Sequence, residues 1–138
     1  MSETPAYPHT DLTHQIIGAF YDVYNAIGSG APEHVYRRAL GIALADAGLN
    51  ADWEVPRAVR YRGKPVGRFR ADLIVEGKIV LELKARHELT RGHQVQLLNL
   101  LRATKLEVGL LLNFGPRPEV KRLILSRGRR FPKTRAGD

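Results

Sequence analysis

Phe69-Arg70-Ala71-Asp72-Leu73-Ile74-Val75-Glu76-Gly77-Lys78-Ile79-Val80-Leu81-Glu82-Leu83-Lys84-Ala85 is the stretch on which the fold turns. Two apolar-rich runs flank Glu76-Gly77-Lys78, the pattern of two antiparallel strands joined by a tight turn. Side chains alternate across a strand, so Ile79, Leu81, Leu83 and Ala85 share one face, and Val80, Glu82 and Lys84 the other. In the preceding strand Phe69, Ala71, Leu73 and Val75 form the apolar face, opposite Arg68, Arg70, Asp72 and Ile74. Aligning the apolar faces sets the register, because a slip of one residue would send them to opposite sides. Val75 then faces Ile79 and Leu73 faces Leu81. The same register puts Asp72 across from Glu82 and Arg70 across from Lys84.

Two carboxylates facing each other repel and weaken a sheet. A divalent cation between them removes the repulsion, and hard oxygen donors with an incomplete shell suit Mg2+, which keeps several waters and accepts substrate phosphate. Lys84, one side chain along, can orient or deprotonate a water and stabilise charge developing on phosphorus. The competing reading is a charged, solvent-facing sheet surface.

Working outward, Leu12, Ile16, Phe20, Val23 and Ile27 step by three and four, predicting an amphipathic helix over residues 11–27 that Gly28 ends. Pro32 suits the first position of a second helix reaching about Ala47, with Tyr36, Leu40, Ala43, Leu44 and Ala47 as its core stripe. Residues 53–61 are interrupted by Pro56 and predict an edge strand or two short pieces. A turn at residues 62–65 leads into the strand ending at Val75. After the hairpin, residues 90–104 predict a leucine-dense, largely buried helix. Residues 108–114 are apolar throughout, as in a central strand. Residues 119–125 allow a final strand or a short helix. The order is that of an α/β domain with one mixed sheet covered by helices.

At 138 residues, 43% of them hydrophobic and 26% charged, the chain has the size and composition of a single globular domain. We divide it into a flexible arm (1–10), a domain (11–125) and a basic tail (126–138). No apolar run approaches the ~20 residues that span a bilayer, and the polar N-terminus is not a signal peptide. The chain has no cysteine, which excludes disulfides and thiolate metal sites and fits a cytoplasmic protein. Its net charge of +8 favours a polyanionic partner. The tail contributes Arg127, Arg129 and Arg130, which either contact nucleic acid or simply solubilise the chain. Arg68 and Arg70 flank Asp72 and offer bidentate donors to phosphate, or pair with the acids.

Asp72 followed by Glu82-Leu83-Lys84 resembles the signature of the PD-(D/E)xK nuclease superfamily, with Ala71 in the place of the motif's proline. The resemblance implies a restriction-endonuclease-like αβββαβ core with a mixed central sheet and an extra N-terminal helix. It implies Mg2+ or Mn2+ held by Asp72, Glu82 and the Leu83 carbonyl, and a nucleophile activated by Lys84. It also implies a further acid, Glu33, from the preceding helix and a glutamine, Gln96, from the following one. Gly30, Glu33 and Tyr36 match in spacing the bacterial family named for its Gly-x-x-Glu-x-x-Tyr (GxxExxY) motif. So do Tyr61-Arg62-Gly63, Arg70-Ala71-Asp72-Leu73-Ile74-Val75, His93-Gln94-Val95-Gln96-Leu97 and Gly109-Leu110-Leu111-Leu112-Asn113-Phe114-Gly115. The chain departs from relatives in three places. Gln96 is followed by Leu100 where a tyrosine is frequent, Tyr24 stands where histidine is common, and Pro32 where leucine is.

The function expected is a metal-dependent nuclease acting on DNA or RNA. The alternative is an inactive nuclease-fold module that binds nucleic acid or protein; a homodimer is compatible with either. Among the individual residues, Glu33 lies in a first helical turn, where the dipole favours a carboxylate in any case. Tyr36 reads as core packing with its hydroxyl satisfied near the site. His93 reads as a surface histidine, Trp53 as a packing residue, and His9, His14, His34 and His87 have no metal-ligand spacing.

Overall fold

The computed structural model describes residues 8–125. Most of the expected arm and the whole tail, Arg127, Arg129 and Arg130 included, lie outside the described residues. The elements run α1 (Thr10–Ile27), α2 (Glu33–Asp46), β1 (Ala51–Tyr61), β2 (Lys64–Val75), β3 (Ile79–Lys84), α3 (Arg91–Thr104), β4 (Val108–Phe114) and β5 (Pro118–Ile124).

The expected α/β architecture holds. One sheet has strand order β1-β2-β3-β4-β5, antiparallel except where β3 pairs in parallel with β4 through the α3 crossover. Helices α1 and α2 cover one face, where Ile16, Phe20, Tyr36, Leu40 and Leu44 pack on Leu73, Leu81, Leu83, Leu110 and Phe114. Helix α3 covers the other, with Leu97, Leu100 and Leu101 against Ile74, Val80 and Leu111. The hairpin register is the expected one from Val75–Ile79 to Leu73–Leu81, but pairing stops there, so the expected Asp72–Glu82 and Arg70–Lys84 pairs are not part of the ladder. Every residue of β4 is buried, as its uninterrupted apolar run requires.

Several local expectations change. β1 is one edge strand and is not split by Pro56, because an edge strand pairs on one side only and tolerates a missing donor there. Its register shifts instead at the bulge between Val59 and Arg60. Residues 118–124 resolve as a strand, which pairs along the whole of β4. Ile27, the last residue of α1, and Ala47, just past the end of α2, are exposed and not part of the core. Pro32 caps α2 from outside instead of opening it. Only Leu97, Leu100 and Leu101 of α3 are buried, and Val95 is 48% exposed, so the helix is less buried than its leucine content suggests.

Two devices hold the loops that frame the hairpin. The Tyr36 hydroxyl donates to the Gly28 carbonyl and accepts from Ala31 N at 3.0 Å, while its ring stacks on Phe114 at 4.2 Å. The spacing of Gly30, Glu33 and Tyr36 thereby acquires a cause. Gly30 takes a positive φ of 102° in the turn, and Tyr36 reaches back to fasten it, fixing where Glu33 starts the helix. The second device is buried Asn113, whose amide oxygen accepts from Arg86 N at 2.9 Å. Its amide nitrogen donates to Arg86 O at 3.0 Å and to Glu119 at 2.8 Å. This pins the chain just after Lys84.

Gly115 lies against the same chain: a Cβ there would stand 2.2 Å from Arg86 O. Gly115→Ala therefore forces two backbone segments apart, costing about 1–3 kcal/mol, or roughly 5–15 °C in melting temperature. Thermal denaturation checks this, and an unchanged melting temperature would contradict the close approach.

Candidate active site

At Asp72 the sheet opens. The β2–β3 ladder stops at Leu73–Leu81, and two side chains take over the hydrogen bonds that would have come next. Asp72 Oδ2 accepts from Leu83 N at 2.9 Å, and Glu82 Oε2 accepts from Asp72 N at 2.9 Å. On the other flank Glu54, at φ 46°, drops out of the β1–β2 register between Trp53–Leu73 and Val55–Ala71. Released from β3, the outer half of β2 forms a ribbon with β1 alone, and two-stranded ribbons twist more than sheet interiors. The expected alternation fails there for that reason. Ala71 joins the α3-side core instead of the cluster containing Leu73, and Phe69 is 37% exposed.

Each carboxylate thus spends one oxygen on the opposite backbone and leaves the other, Asp72 Oδ1 and Glu82 Oε1, outside those bonds. In an extended strand the N–H and C=O of one residue point the same way. The Leu83 carbonyl therefore faces the gap into which its N–H donates. Burial, and then the charge of Asp72, push the Glu82 carboxyl up to about 8. Burial also raises Asp72, opposed by the Leu83 N–H and by Arg37. The charged forms of the pair are costly without a cation, and three hard oxygens edge the opening, so the donor chemistry fits Mg2+ or Mn2+.

Lys84 follows on the same strand face as Glu82, and its Nζ lies 3.4 Å from Gln96 Oε1 on α3. Glu82, Lys84 and Gln96 line one cavity of about 240 Å³, together with Asn99, Arg70 and Phe69. Arg70 thus borders the site, where it also stands 3.7 Å from Glu54. Arg68 pairs with Ala58 farther out on the ribbon and is not part of this lining.

Glu33 does not close with Asp72 and Glu82 into a three-carboxylate cage. Among the described residues, no group of three or more His, Asp or Glu side chains is arranged to hold a metal. Arg37, one helical turn after Glu33, stands between. Its guanidinium lies 3.7 Å from Glu33, 3.8 Å from Asp72 and 3.8 Å from Glu54. Its Nε is buried with no hydrogen-bond partner among the described residues. Glu33 is still close enough for its charge to raise both acids.

Sequence reasoning missed Arg37. The available signal was its i,i+4 spacing from Glu33 on a helix face turned toward the hairpin. His93 plays a structural part, its Nδ1 accepting from Thr90 N at 2.9 Å to close the N-terminal cap of α3. Trp53 packs across Gly41 of α2, where a Cβ would meet the indole at 2.5 Å.

Comparison with known proteins gives the superfamily and the fold. The profile of the PD-(D/E)XK nuclease superfamily matches residues 10–123. The crystal structure of SSO0001 is similar at a TM-score of 0.54 and 22% sequence identity, the match covering 84% of this chain. The chain spans 58% of that structure's length, and a likeness at this identity speaks to the fold. No curated protein matches the chain. With the profile spanning nearly all of the described fold and the acid, acid-x-lysine hairpin inside it, the chain belongs to the PD-(D/E)XK nuclease superfamily.

Proposed function

We propose that the chain is a Mg2+- or Mn2+-dependent nuclease of the GxxExxY type, hydrolysing phosphodiester bonds in nucleic acid in the cytoplasm. The observation that carries this reading is the reciprocal lock of Asp72 and Glu82. It leaves one oxygen of each acid free of the sheet, and Glu82 lines an open cavity together with Lys84. Asp72, Glu82 and the Leu83 carbonyl would hold the ion, which when bound supplies Lewis acidity to a phosphoryl oxygen and acidity to a water. Lys84, steadied by Gln96, orients the attacking water and places positive charge beside the phosphorus. Arg70 at the cavity rim binds a neighbouring phosphate. Glu33 acts at one remove, through Arg37, on the charge of Asp72.

One observation favours a second reading, a nuclease-fold module that binds nucleic acid without cutting it. Arg37 already offers a positive charge within ion-pair distance of Asp72. Calorimetric titration of Mn2+ into the native protein and into Asp72→Ala, alongside cleavage assays on DNA and RNA, separates the two. The nuclease reading expects metal binding and cleavage in the native protein and neither in the variant. A native protein that takes up no metal, and binds nucleic acid just as Asp72→Ala does, would establish the second reading instead.

A further inference from the structure

The active-site cavity does not end at Gln96. It shares Phe69 and Asn99 with a larger groove of about 580 Å³. That groove is floored by the outer β1–β2 ribbon at Ala58, Val59 and Phe69 and walled by the C-terminal half of α3. Its charged lining is Arg60, Arg102 and Lys105, and no acidic side chain among the described residues lines it. Arg102 is steadied at 3.1 Å from Asn99, the residue at the junction. Phe69 presents part of an aromatic ring at the same junction, 37% exposed although strand alternation would assign it to the core.

The pieces differ in chemistry and are ordered in space. Glu82 and Lys84 come first, then an exposed aromatic with an amide beside it, then three cations. That is how a protein holds a single strand: bases stack on an aromatic face while the backbone follows a positive groove. A duplex keeps its bases paired and stacked on one another and offers none to Phe69.

We propose that this groove is the track for a single-stranded nucleic acid leaving the active site. One base stacks on Phe69, Asn99 contacts its edge or sugar, and Arg60, Arg102 and Lys105 neutralise the phosphates beyond. The proposal rests on the nuclease reading of the acid hairpin for which end of the track is the reacting one.

Binding in EDTA tests the track apart from the chemistry. The probes are fluorescent twelve-nucleotide dT and rU strands and a twelve-base-pair duplex, followed by anisotropy over a range of salt. Phe69→Ala is expected to weaken binding of the single strands by about 5- to 100-fold, with the salt dependence unchanged. Replacing Arg60, Arg102 and Lys105 together by glutamine is expected to flatten the salt slope for a single strand by about 2. Lys121→Gln, on the far edge strand, controls for overall charge and should change neither.

Variants that bind single strands as the native protein does would overturn the track, as would a duplex that binds more tightly and is indifferent to Phe69→Ala. Weakened binding in the groove variants, as expected, together with no metal-dependent cleavage by the native protein would overturn the nuclease reading and leave the track standing. Cleavage of single strands at unchanged KM in the triple variant would do the reverse.

Discussion

Lys84→Ala lowers the metal-dependent cleavage rate by about 10²- to 10⁴-fold, the usual contribution of a positioned proton-transfer or electrostatic group. Lys84 closes β3 on the strand face of Glu82 and is held toward the cavity by Gln96 at 3.4 Å. It is only partly buried, so removing it leaves no hole in the core and the fold should persist. The loss is expected in kcat and not in KM, because Lys84 acts where charge develops and Arg70 and the groove cations hold the strand. Single-turnover cleavage with saturating Mn2+ measures it, with circular dichroism to check folding. A variant that cuts at the native rate would remove Lys84 from the mechanism.

Without divalent metal, the protein should lose stability as pH rises from about 4.5 to about 8, which is opposite to the usual behaviour of a paired carboxylate. The Glu82 carboxyl is raised from an ordinary 4.5 to about 8 in the folded state, chiefly by burial and then by the charge of Asp72. Between those values the native state binds more protons than the unfolded state, so the free energy of unfolding declines with increasing pH. The cost is fully present once pH exceeds the folded value. Its size is on the order of a few kcal/mol. Asp72 is raised as well and adds to the decline at its lower end.

Glu82→Gln keeps the shape and removes the titration, so its stability should be flatter with pH and should exceed that of the native protein above pH 8. Mn2+ should restore the native protein at high pH by binding the folded state and should leave the variant unchanged. Urea unfolding at several pH values, in EDTA and in Mn2+, decides the matter. Parallel curves for native and variant would show that the carboxyl pair carries no such penalty.

These expectations depend on features that were legible to very different degrees before the fold was known. Hairpin register followed from matching Leu73 with Leu81 and Val75 with Ile79, since a one-residue slip would expose one apolar face. It also predicts Asp72 opposite Glu82, a position that falls just past the end of the observed ladder. The helices at Phe20 and Leu40 and the central strand at Leu110 were equally readable, because burial repeats at a fixed period within one segment. Residues 118–124 were ambiguous because no period in them is clean. Their strand character comes from the partner they meet, β4.

Periodicity, then, was enough to fix the order of elements, the hairpin and the facing carboxylates, because each depends on a pattern repeated along a few neighbouring residues. Tertiary structure decided what the carboxylates do. They replace ladder hydrogen bonds where β2 leaves β3, an event of sheet twist that no single strand encodes. It also decided that Arg37 of α2 reaches Asp72 while Glu33 stands off, and that Phe69 faces a groove with Arg60 and Arg102. Each of these joins side chains from elements far apart in the chain, whose meeting depends on how helices pack across a twisted sheet.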